Sequence, residues 1–228
     1  AHGSGHTGYS VILDTLEHDR TVLAYKGVND ELRSEDIPYK KLKTKWFYFG
    51  SMLEESFHTL EKLAKFARQR NIKVAFNPSA YLAEKGRNHL KHIISSTELL
   101  VLNKEEACLL AGKNEIEDLL FKLRSLGPKI VVITDGKKDL YVIDDNYIYK
   151  TFPPPVKIID ATGAGDAFAS SFLSGILRKN DIEFAIKLGI VNAQSVVSHY
   201  GAKNILLSYK EAMKGVKRIK VKIHKKKI

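Results

Sequence analysis

The chain has 228 residues, of which 44% are hydrophobic, and a formal net charge of +11 at neutral pH. A chain of this length and composition can bury one sizeable core, and its single cysteine, Cys108, excludes an intramolecular disulfide. No apolar run approaches the roughly 18 residues that a membrane-spanning helix needs, and no signal-peptide pattern opens the sequence. These features predict a cytoplasmic protein that does not cross a membrane.

The positive charge is concentrated at the C-terminus. Residues 214–228 contain eight Lys and Arg and no acid, which leaves 29 basic against 26 acidic residues elsewhere. Ile219, Val221 and Ile223 alternate with lysines there, and this period of two predicts an edge strand whose charges resist aggregation. A polyanion-binding arm is the alternative interpretation. The aromatic residues do not interleave with these charges, which argues against nucleic-acid binding.

Alternating strand and helix patterns follow a Gly/His/Ser-rich start. We interpret residues 1–7 as a tag remnant or a mobile piece, and two strand-like runs flanking a charged turn at 17–20 predict a hairpin. Further strands are predicted at 45–49, 72–76, 99–102, 130–134, 140–143 and 147–152, and helices at 60–67, 82–94, 105–111, 115–126 and 182–198. Such alternation predicts an α/β fold with a mostly parallel sheet and helices on both faces.

Small or polar residues follow the predicted strands where the strands end. These residues are Gly50, Asn77, Asn103, Thr134 and Asp160. In sheets of this kind, ligands bind at the carboxyl ends of the strands. The pattern therefore predicts a single cleft along one edge of the sheet.

A Gly-rich stretch near the middle of the second half carries the strongest chemical signal. The apolar run 156–159 predicts a short strand that ends at Asp160, and the small residues 163–165 precede Asp166, which opens an apolar-periodic helix. A tight turn at a helix N-terminus aims several backbone N–H groups at one spot, and the helix dipole attracts an anion there. We expect the turn to stabilise a transferring phosphoryl group while Asp166 accepts a proton from the attacking hydroxyl.

Two common phosphate loops do not fit this turn. A P-loop requires Lys after its last glycine, where this chain has Asp166, and a dinucleotide fingerprint requires a third glycine where Phe168 stands. A plain strand–helix connection that uses small residues for tight packing remains the structural alternative.

The residues Asp160-Ala161-Thr162-Gly163-Ala164-Gly165-Asp166-Ala167-Phe168 closely resemble the C-terminal signature of the ribokinase-like (PfkB) family of sugar and nucleoside kinases. The family usually has Thr where Ala161 stands. Asn103-Lys104-Glu105-Glu106 resembles the family's Asn-x-x-Glu motif, and Thr134-Asp135-Gly136 resembles its nucleotide-contacting turn. The resemblance implies a ribokinase-like three-layer fold, with part of a small β lid at 8–30 and the kinase domain at 31–228.

The resemblance begins at the lid segment, and this sequence has no counterpart to the family's usual N-terminal portion. That portion carries a Gly-Gly motif and an early Asp that binds sugar hydroxyls. We expect a polypeptide that truly starts at Ala1 to be unstable and inactive, because it would lose central strands of the sheet.

The resemblance also implies a role for each motif residue. Asp166 would be the catalytic base, with an anion hole formed by the N–H groups of Gly163, Ala164 and Gly165. The nucleotide would be bound by Thr134, Gly136, Asn192 and Gly201. Magnesium would be held through water by Asn103 and Glu106, and a monovalent cation such as potassium by Asp160 and Thr162.

Structural alternatives exist for several of these residues. Asn103 and Glu106 are spaced as a helix capping box, and capping and metal binding are compatible. Thr134 and Gly136 fit an ordinary turn, and Asn192 fits a satisfied core amide.

The implied function is transfer of the ATP γ-phosphate to a hydroxyl of a small sugar. The segment Lys26-Gly27-Val28-Asn29 resembles the lid of ribokinase- and fructokinase-like members, which favours a sugar acceptor. Members of the family often pair through the lid, so the resemblance also implies a homodimer. A nucleoside kinase of the same family, or a non-catalytic module that binds nucleotides or polyanions, are the alternatives.

Overall fold

The computed structural model describes residues 5–14, 20–136 and 138–228. Strands β1 (Thr7–Asp14) and β2 (Arg20–Gly27) form an antiparallel hairpin that pairs apart from the main sheet. The predicted hairpin is therefore confirmed, whereas most of its predicted charged turn and residues 1–4 lie outside the described residues. Three short 3-10 turns lead from the hairpin into the main domain, at Val28–Asp30, Ser34–Asp36 and Tyr39–Lys41.

In the described part of the chain, seven strands form the central sheet, and their spatial order follows the sequence. They are β3 (Trp46–Phe49), β4 (Lys73–Phe76), β5 (Leu99–Asn103), β6 (Ile130–Thr134), β7 (Leu140–Ile143), β8 (Tyr147–Thr151) and β9 (Ile223–Lys227). Strands β3 to β6 pair in parallel, and each later strand is antiparallel to its neighbour. Five of these seven described strands share one direction, which confirms the mostly parallel sheet.

Helices cover both faces of this sheet. They are α1 (Glu54–Gln69), α2 (Ser79–Ala83), α3 (Gly86–Ile94), α4 (Lys104–Ala111), α5 (Ile116–Ser125), α6 (Ala164–Lys179), α7 (Ile182–Val197) and α8 (Tyr209–Arg218). Helices α1 to α5 share one apolar core with one face, and α6 and α7 share a second core with the other. Helix α8 packs outside α7. Among the described residues, no helix combines the length and apolarity that crossing a membrane requires.

The two cores follow from the alternation of side chains along each strand. On β4, Val74 and Phe76 enter the core beneath α1 to α5, while Ala75 between them enters the core beneath α6 and α7. The strands are buried on both faces, which explains why their sequences are nearly continuous apolar runs. The three-layer α/β arrangement expected from the sequence is the one observed.

Two sequence-based predictions of secondary structure are wrong. The segment 82–94 is two helices rather than one, because Gly86 has a φ of 81° and turns the chain between α2 and α3. The segment 156–159 forms no strand. Instead, the N–H groups of Ile159 and Asp160 both donate to the carbonyl of Val197, at the end of α7. The preceding prolines cannot donate to a ladder, and β9 already occupies the edge beside β8.

The C-terminal edge strand is confirmed, with a shift in position. The alternating apolar residues Ile219, Val221 and Ile223 pack against the α6–α7 core, and the strand itself is β9, which pairs with β8. Lys225 lies over the ring of Tyr147, with its Nζ 3.9 Å from the ring centroid. The lysines of this outermost strand are solvent-exposed, as expected for a charged sheet edge.

Candidate active site

The Gly-rich turn opens α6 in a conformation that requires glycine at one position. Gly163 is the N-cap residue of α6, with φ 82° and ψ −4°, in the left-handed region. A Cβ at this position would overlap the backbone carbonyl of Ala202. At Gly165, by contrast, an added Cβ would meet no atom within 4 Å. The first glycine therefore packs the turn against the loop that precedes α8, and the second borders open space.

Helix α6 has the features of an anion-binding N-terminus. The first N–H groups of a helix lack intrahelical partners and carry partial positive charge. Ala164 makes one long turn contact, its N–H donating to the Ala161 carbonyl at 3.3 Å, and the first helical bond runs from the Ala167 N–H to Gly163. Asp166 lies in this first turn and is exposed. Among the described residues, none donates a hydrogen bond to its side chain.

Glu106 lies within electrostatic range of Asp166. Glu106 is 7% exposed, and this burial raises the pKa of its carboxyl. The hydrogen bond from the N–H of Asn103 acts in the opposite direction, while the negative charges of Glu105 and Asp166 raise the pKa further. The N-terminal ends of α4 and α6 are therefore close enough for the charge of Asp166 to affect Glu106.

Tyr48 is a residue within electrostatic range of Asp166 that we did not identify from the sequence. Trp46, two residues earlier on β3, packs in the α6–α7 core, so Tyr48 lies on the same face of the sheet. Burial of the phenol raises the pKa of Tyr48 to about 12, the Asp166 carboxylate adds to this effect, and a hydrogen bond with the Asn77 side chain opposes it. The carboxyl ends of β3 and β4 thus meet the first turn of α6.

Asn103 and Glu106 form the capping box that their spacing allows. The Asn103 side chain accepts from the Glu106 N–H at 2.8 Å, and Glu106 Oε2 accepts from the Asn103 N–H at 2.9 Å. Among the described residues, no three His, Cys, Asp or Glu side chains converge as a metal site. A single buried carboxylate still fits magnesium, which is commonly held by one or two carboxylates, water and substrate phosphates. The predicted metal role stays a prediction beside the observed cap.

Thr134 and Gly136 lie in a tight turn at the carboxyl end of β6. Thr134 is the direct neighbour of Asn103 in the parallel β5–β6 pair. The Asp135 N–H donates to the carbonyl of Asp139 at 3.2 Å, and Gly136 has a φ of 57°. Asp135 is therefore held by the backbone of this segment, and Gly136 is exposed.

Asp160 joins the Gly-rich turn to a second loop. Its Oδ1 accepts from the Thr162 N–H at 2.8 Å, and its Oδ2 accepts from the Gly201 N–H at 3.0 Å. The Asp160 side chain thus fixes the spacing of two loops that the sequence places 41 residues apart. Each oxygen already accepts one hydrogen bond, so a monovalent cation at this position would share the carboxylate with both loops.

Asn192 is buried, and both ends of its side chain bind within the protein. Its Nδ2 donates to Ser171 Oγ at 2.7 Å, and its Oδ1 accepts from the Leu207 N–H at 3.0 Å. Ser195, one turn later, donates to the carbonyl of Ile205 at 2.9 Å. Asn192 therefore has the geometry of a satisfied core amide that holds the loop before α8, and a direct contact with nucleotide stays a prediction.

The predicted site residues form two groups. One contains the residues at the ends of β5 and β6, and the other contains the turn before α6 with the loop before α8. Asp166 belongs to the second group, and its charge raises the pKa of Glu106 in the first. Among the described residues, no hydrogen bond or ion pair joins the Thr134–Gly136 turn to Asn192 or Gly201. The arrangement suits a ligand that lies between the groups, with an anionic portion at the start of α6.

Comparisons with known proteins show which family the chain belongs to. Residues 2–208 match the model of the pfkB family carbohydrate kinases. The cytidine kinase of Thermococcus kodakarensis is 34% identical over 182 residues, which cover 77% of this chain and 63% of that protein. The ATP-dependent 6-phosphofructokinase of Thermoanaerobacterium thermosaccharolyticum is 26% identical over 201 residues, which cover 84% of this chain and 62% of that protein. The chain thus spans less than two thirds of the length of these relatives.

The fold is also shared with solved structures. Ribokinase from Thermotoga maritima superimposes with a TM-score of 0.81 at 23% identity, covering 95% of this chain and 71% of that one. This likeness concerns the fold, whereas the family match extends from the lid hairpin through the Gly-rich turn to the loop before α8. The chain belongs to the PfkB family of carbohydrate kinases.

Proposed function

We propose that this protein transfers the γ-phosphoryl group of ATP to a hydroxyl of a small sugar. The single observation that carries the proposal is the first turn of α6, where the exposed Asp166 carboxylate follows the Gly163–Gly165 turn directly. A pure binding module would gain nothing from a carboxylate beside an anion site, because like charges repel. A general base has to lie there, within reach of both the acceptor hydroxyl and the phosphoryl group.

Each group in this turn has one role in the proposed reaction. Asp166 takes the proton of the acceptor hydroxyl as the oxygen forms its bond to the γ-phosphorus, and the bond from phosphorus to the bridging oxygen breaks to release ADP. The N–H groups of Gly163, Ala164 and Gly165 stabilise the negative charge on the transferring group. Phosphoryl transfer depends mainly on alignment and charge neutralisation, which a rigid helix start supplies.

Metal ions would act at two places. Glu106, with Asn103, would hold magnesium through water, and the ion would neutralise phosphate charge when bound. Asp160 and the backbone of Thr162 would hold a monovalent cation beside the anion hole. Equal reaction rates in potassium and in a tetramethylammonium buffer would remove the second of these roles.

The acceptor is a sugar, either free or as part of a nucleoside. The lid segment at 26–29 supports a free sugar, because it resembles the lids of ribokinase- and fructokinase-like members. The 34% identity with a cytidine kinase favours the second candidate, a nucleoside acceptor. Both present a hydroxymethyl group to Asp166, so the same base and anion hole serve either acceptor.

The exposed lid supports a homodimer as the functional form. Tyr9 and Val11 of β1 lie opposite Tyr25 and Leu23 of β2, on one face of the hairpin. These four side chains are 48–62% exposed, and the two tyrosine rings lie 5.3 Å apart. An isolated two-stranded hairpin with such a face is marginally stable in water, so a second lid is a suitable partner.

A coupled assay of ADP release from the full-length protein tests the proposal. Pentoses, hexoses and nucleosides are supplied one at a time with ATP and magnesium. We expect one class to stimulate ADP release well above the rate without acceptor. If a folded sample that binds ATP responds to none of these compounds, the kinase proposal is wrong and a nucleotide-binding module replaces it.

A further inference from the structure

Lys104 and Asp135 form an ion pair between the Asn103–Glu106 segment and the Thr134–Gly136 turn. The Lys104 Nζ lies 3.2 Å from Asp135 Oδ2. Lys104 is the first residue of α4 and directly follows Asn103. Asp135 directly follows Thr134, which is the neighbour of Asn103 in the sheet. The ion pair therefore bridges the ends of β5 and β6 at the edge of the cleft.

The position of Asp135 at the end of β6 is held by its backbone. The backbone of Asp135 is fixed at both ends, because its N–H donates to the Asp139 carbonyl and its carbonyl accepts from the Lys138 N–H at 2.8 Å. Its side chain is 26% exposed. If this turn contacts the nucleotide as we propose, a partly buried negative charge in it would repel the phosphates.

The other acid of this turn has its own partners. Asp139 lies 3.1 Å from the Lys150 Nζ and accepts a hydrogen bond from the Tyr141 hydroxyl at 2.9 Å. Among the described residues, Lys104 is the cation that pairs with Asp135. The two acids of the turn are thus neutralised separately, one from α4 and the other from β8.

We infer that Lys104 neutralises Asp135 so that the turn after β6 accepts a nucleotide polyphosphate. The inference rests on the proposed kinase function and adds to it a residue that sets nucleotide affinity by charge. Lys104 acts through Asp135 and does not contact the phosphates. Lys104 is therefore a positioning residue, and replacing Asp135 should make Lys104 dispensable for ATP binding.

A double-mutant cycle on the full-length protein tests this inference. Binding of ATP, ADP, AMP and adenosine is measured by calorimetry for the wild type, Lys104→Met, Asp135→Asn and the double variant. We expect Lys104→Met to weaken ATP binding about tenfold, because one uncompensated charge then faces the phosphates. The loss should decrease through ADP and AMP to less than about twofold for adenosine. In about 1 M salt the loss should shrink, because the screening length falls to about 3 Å.

The decisive result is rescue. Asp135→Asn alone should bind ATP as tightly as the wild type or more tightly, and the double variant should return to within about threefold of the wild type. If the double variant binds ATP as weakly as Lys104→Met, then Lys104 acts directly on the nucleotide or on the fold, and the inference is wrong. An equal loss for adenosine and ATP would also overturn it, since a merely structural defect does not depend on phosphate charge.

Lys73→Met is the matched control. Lys73 pairs with Glu98 at 2.8 Å, and its side chain is 51% exposed, against 45% for Lys104. It lies at the amino end of β4, whereas Lys104 follows the carboxyl end of β5. We expect this control to leave ATP binding unchanged, and a similar loss would contradict the inference. A wild type that binds ATP no better than adenosine would remove both this inference and the proposed function. If the wild type binds ATP more tightly than adenosine but the cycle shows no coupling between Lys104 and Asp135, only this inference is wrong.

Discussion

Asp160 and Gly201 are joined by a hydrogen bond in which the Gly201 N–H donates to Asp160 Oδ2 at 3.0 Å. The same carboxylate accepts from Thr162 on its other oxygen, so one side chain sets the distance between the Gly-rich turn and the loop before α8. Gly163 lies so close to the Ala202 carbonyl that a Cβ at this position would overlap it, so the same two loops also touch here. The Gly-rich turn is thus held in place by a loop that follows α7.

We predict that Asp160→Ala lowers both stability and nucleotide affinity. Removing the carboxylate leaves two backbone N–H groups without their acceptor, which should cost about 1–3 kcal/mol of unfolding free energy. The loop before α8 should also lose its fixed position, so ATP binding should weaken about tenfold, a loss of about 1.4 kcal/mol. Chemical denaturation and calorimetry measure the two effects.

Asp144→Ala provides the control for this variant. The Asp144 side chain also accepts from two backbone N–H groups, those of Asn146 and Tyr147, each at 2.8 Å, but in the β7–β8 hairpin. It should show a comparable loss of stability with unchanged ATP binding. Equal losses of ATP affinity in both variants would mean that the effect at Asp160 is a general one.

The two glycines of the turn should respond differently to alanine. Gly163→Ala places a side chain at φ 82° against the Ala202 carbonyl, which should cost at least about 2 kcal/mol of unfolding free energy. Gly165→Ala lies in a helical turn facing open space, so its stability should change by less than about 0.5 kcal/mol. Denaturant titration of both variants checks the contrast, and equal destabilisation would contradict the described geometry.

Tyr48 should add a pH dependence to stability in alkaline solution. Burial, and after it the charge of Asp166, raises the folded-state pKa of Tyr48 from 10.0 to about 12. A raised pKa means that the folded state holds the phenol proton more tightly, so this contribution is complete below pH 10.0 and is lost as the pH rises towards about 12. Because Tyr48 is 41% exposed, solvent screening reduces the energetic effect.

The wild type and Tyr48→Phe are compared by denaturation between about pH 9 and 12, which brackets this window. The wild type should lose more stability over the range than the variant. The difference in phenolate absorbance between the two proteins isolates Tyr48 among the ten tyrosines. Parallel stability curves, or ionisation of Tyr48 near pH 10.0, would contradict the burial of its phenol, which is the larger cause of the raised pKa.

The apolar face of the β1–β2 hairpin should control dimer formation. Leu23→Glu places a charge on the apolar face of the hairpin, where Leu23 is 56% exposed, and should shift a dimer towards monomer in sedimentation experiments. Leu109→Glu, at a similarly exposed leucine on α4 with 48% exposure, should leave the assembly unchanged. A monomeric wild type, or equal effects of both changes, would remove the lid-mediated dimer.

Much of the sheet could be predicted from the sequence, because buried parallel strands are short apolar runs. Strand β6 was predicted with its observed bounds, Ile130–Thr134. The strand at 156–159 was wrongly predicted because apolar residues also cover a helix end, and local pattern does not reveal that β9 fills the sheet edge. Helix α8 was missed although Ser208 and Glu211 form a capping box, a signal present in the sequence.

The candidate site was predicted where chemistry is encoded locally. Asp166 and the preceding glycines are adjacent in sequence, so their pattern was recognisable. Tyr48 was missed because its relation to Asp166 depends on how β3 and α6 pack, across more than a hundred residues of chain. The pairing of Lys104 with Asp135 similarly depends on the register of β5 and β6, which no local pattern specifies.

The kinetics of Asp166→Asn test the central claim most directly. Asparagine keeps the size of the side chain but cannot accept the proton, so kcat should fall about 10²–10⁴-fold. ATP affinity, measured separately by calorimetry, should stay within about twofold, since the anion hole is made of backbone N–H groups. Asp181→Asn, at the N-cap of α7, is the matched control and should keep full activity. A wild-type kcat in Asp166→Asn would contradict the assignment of Asp166 as the general base.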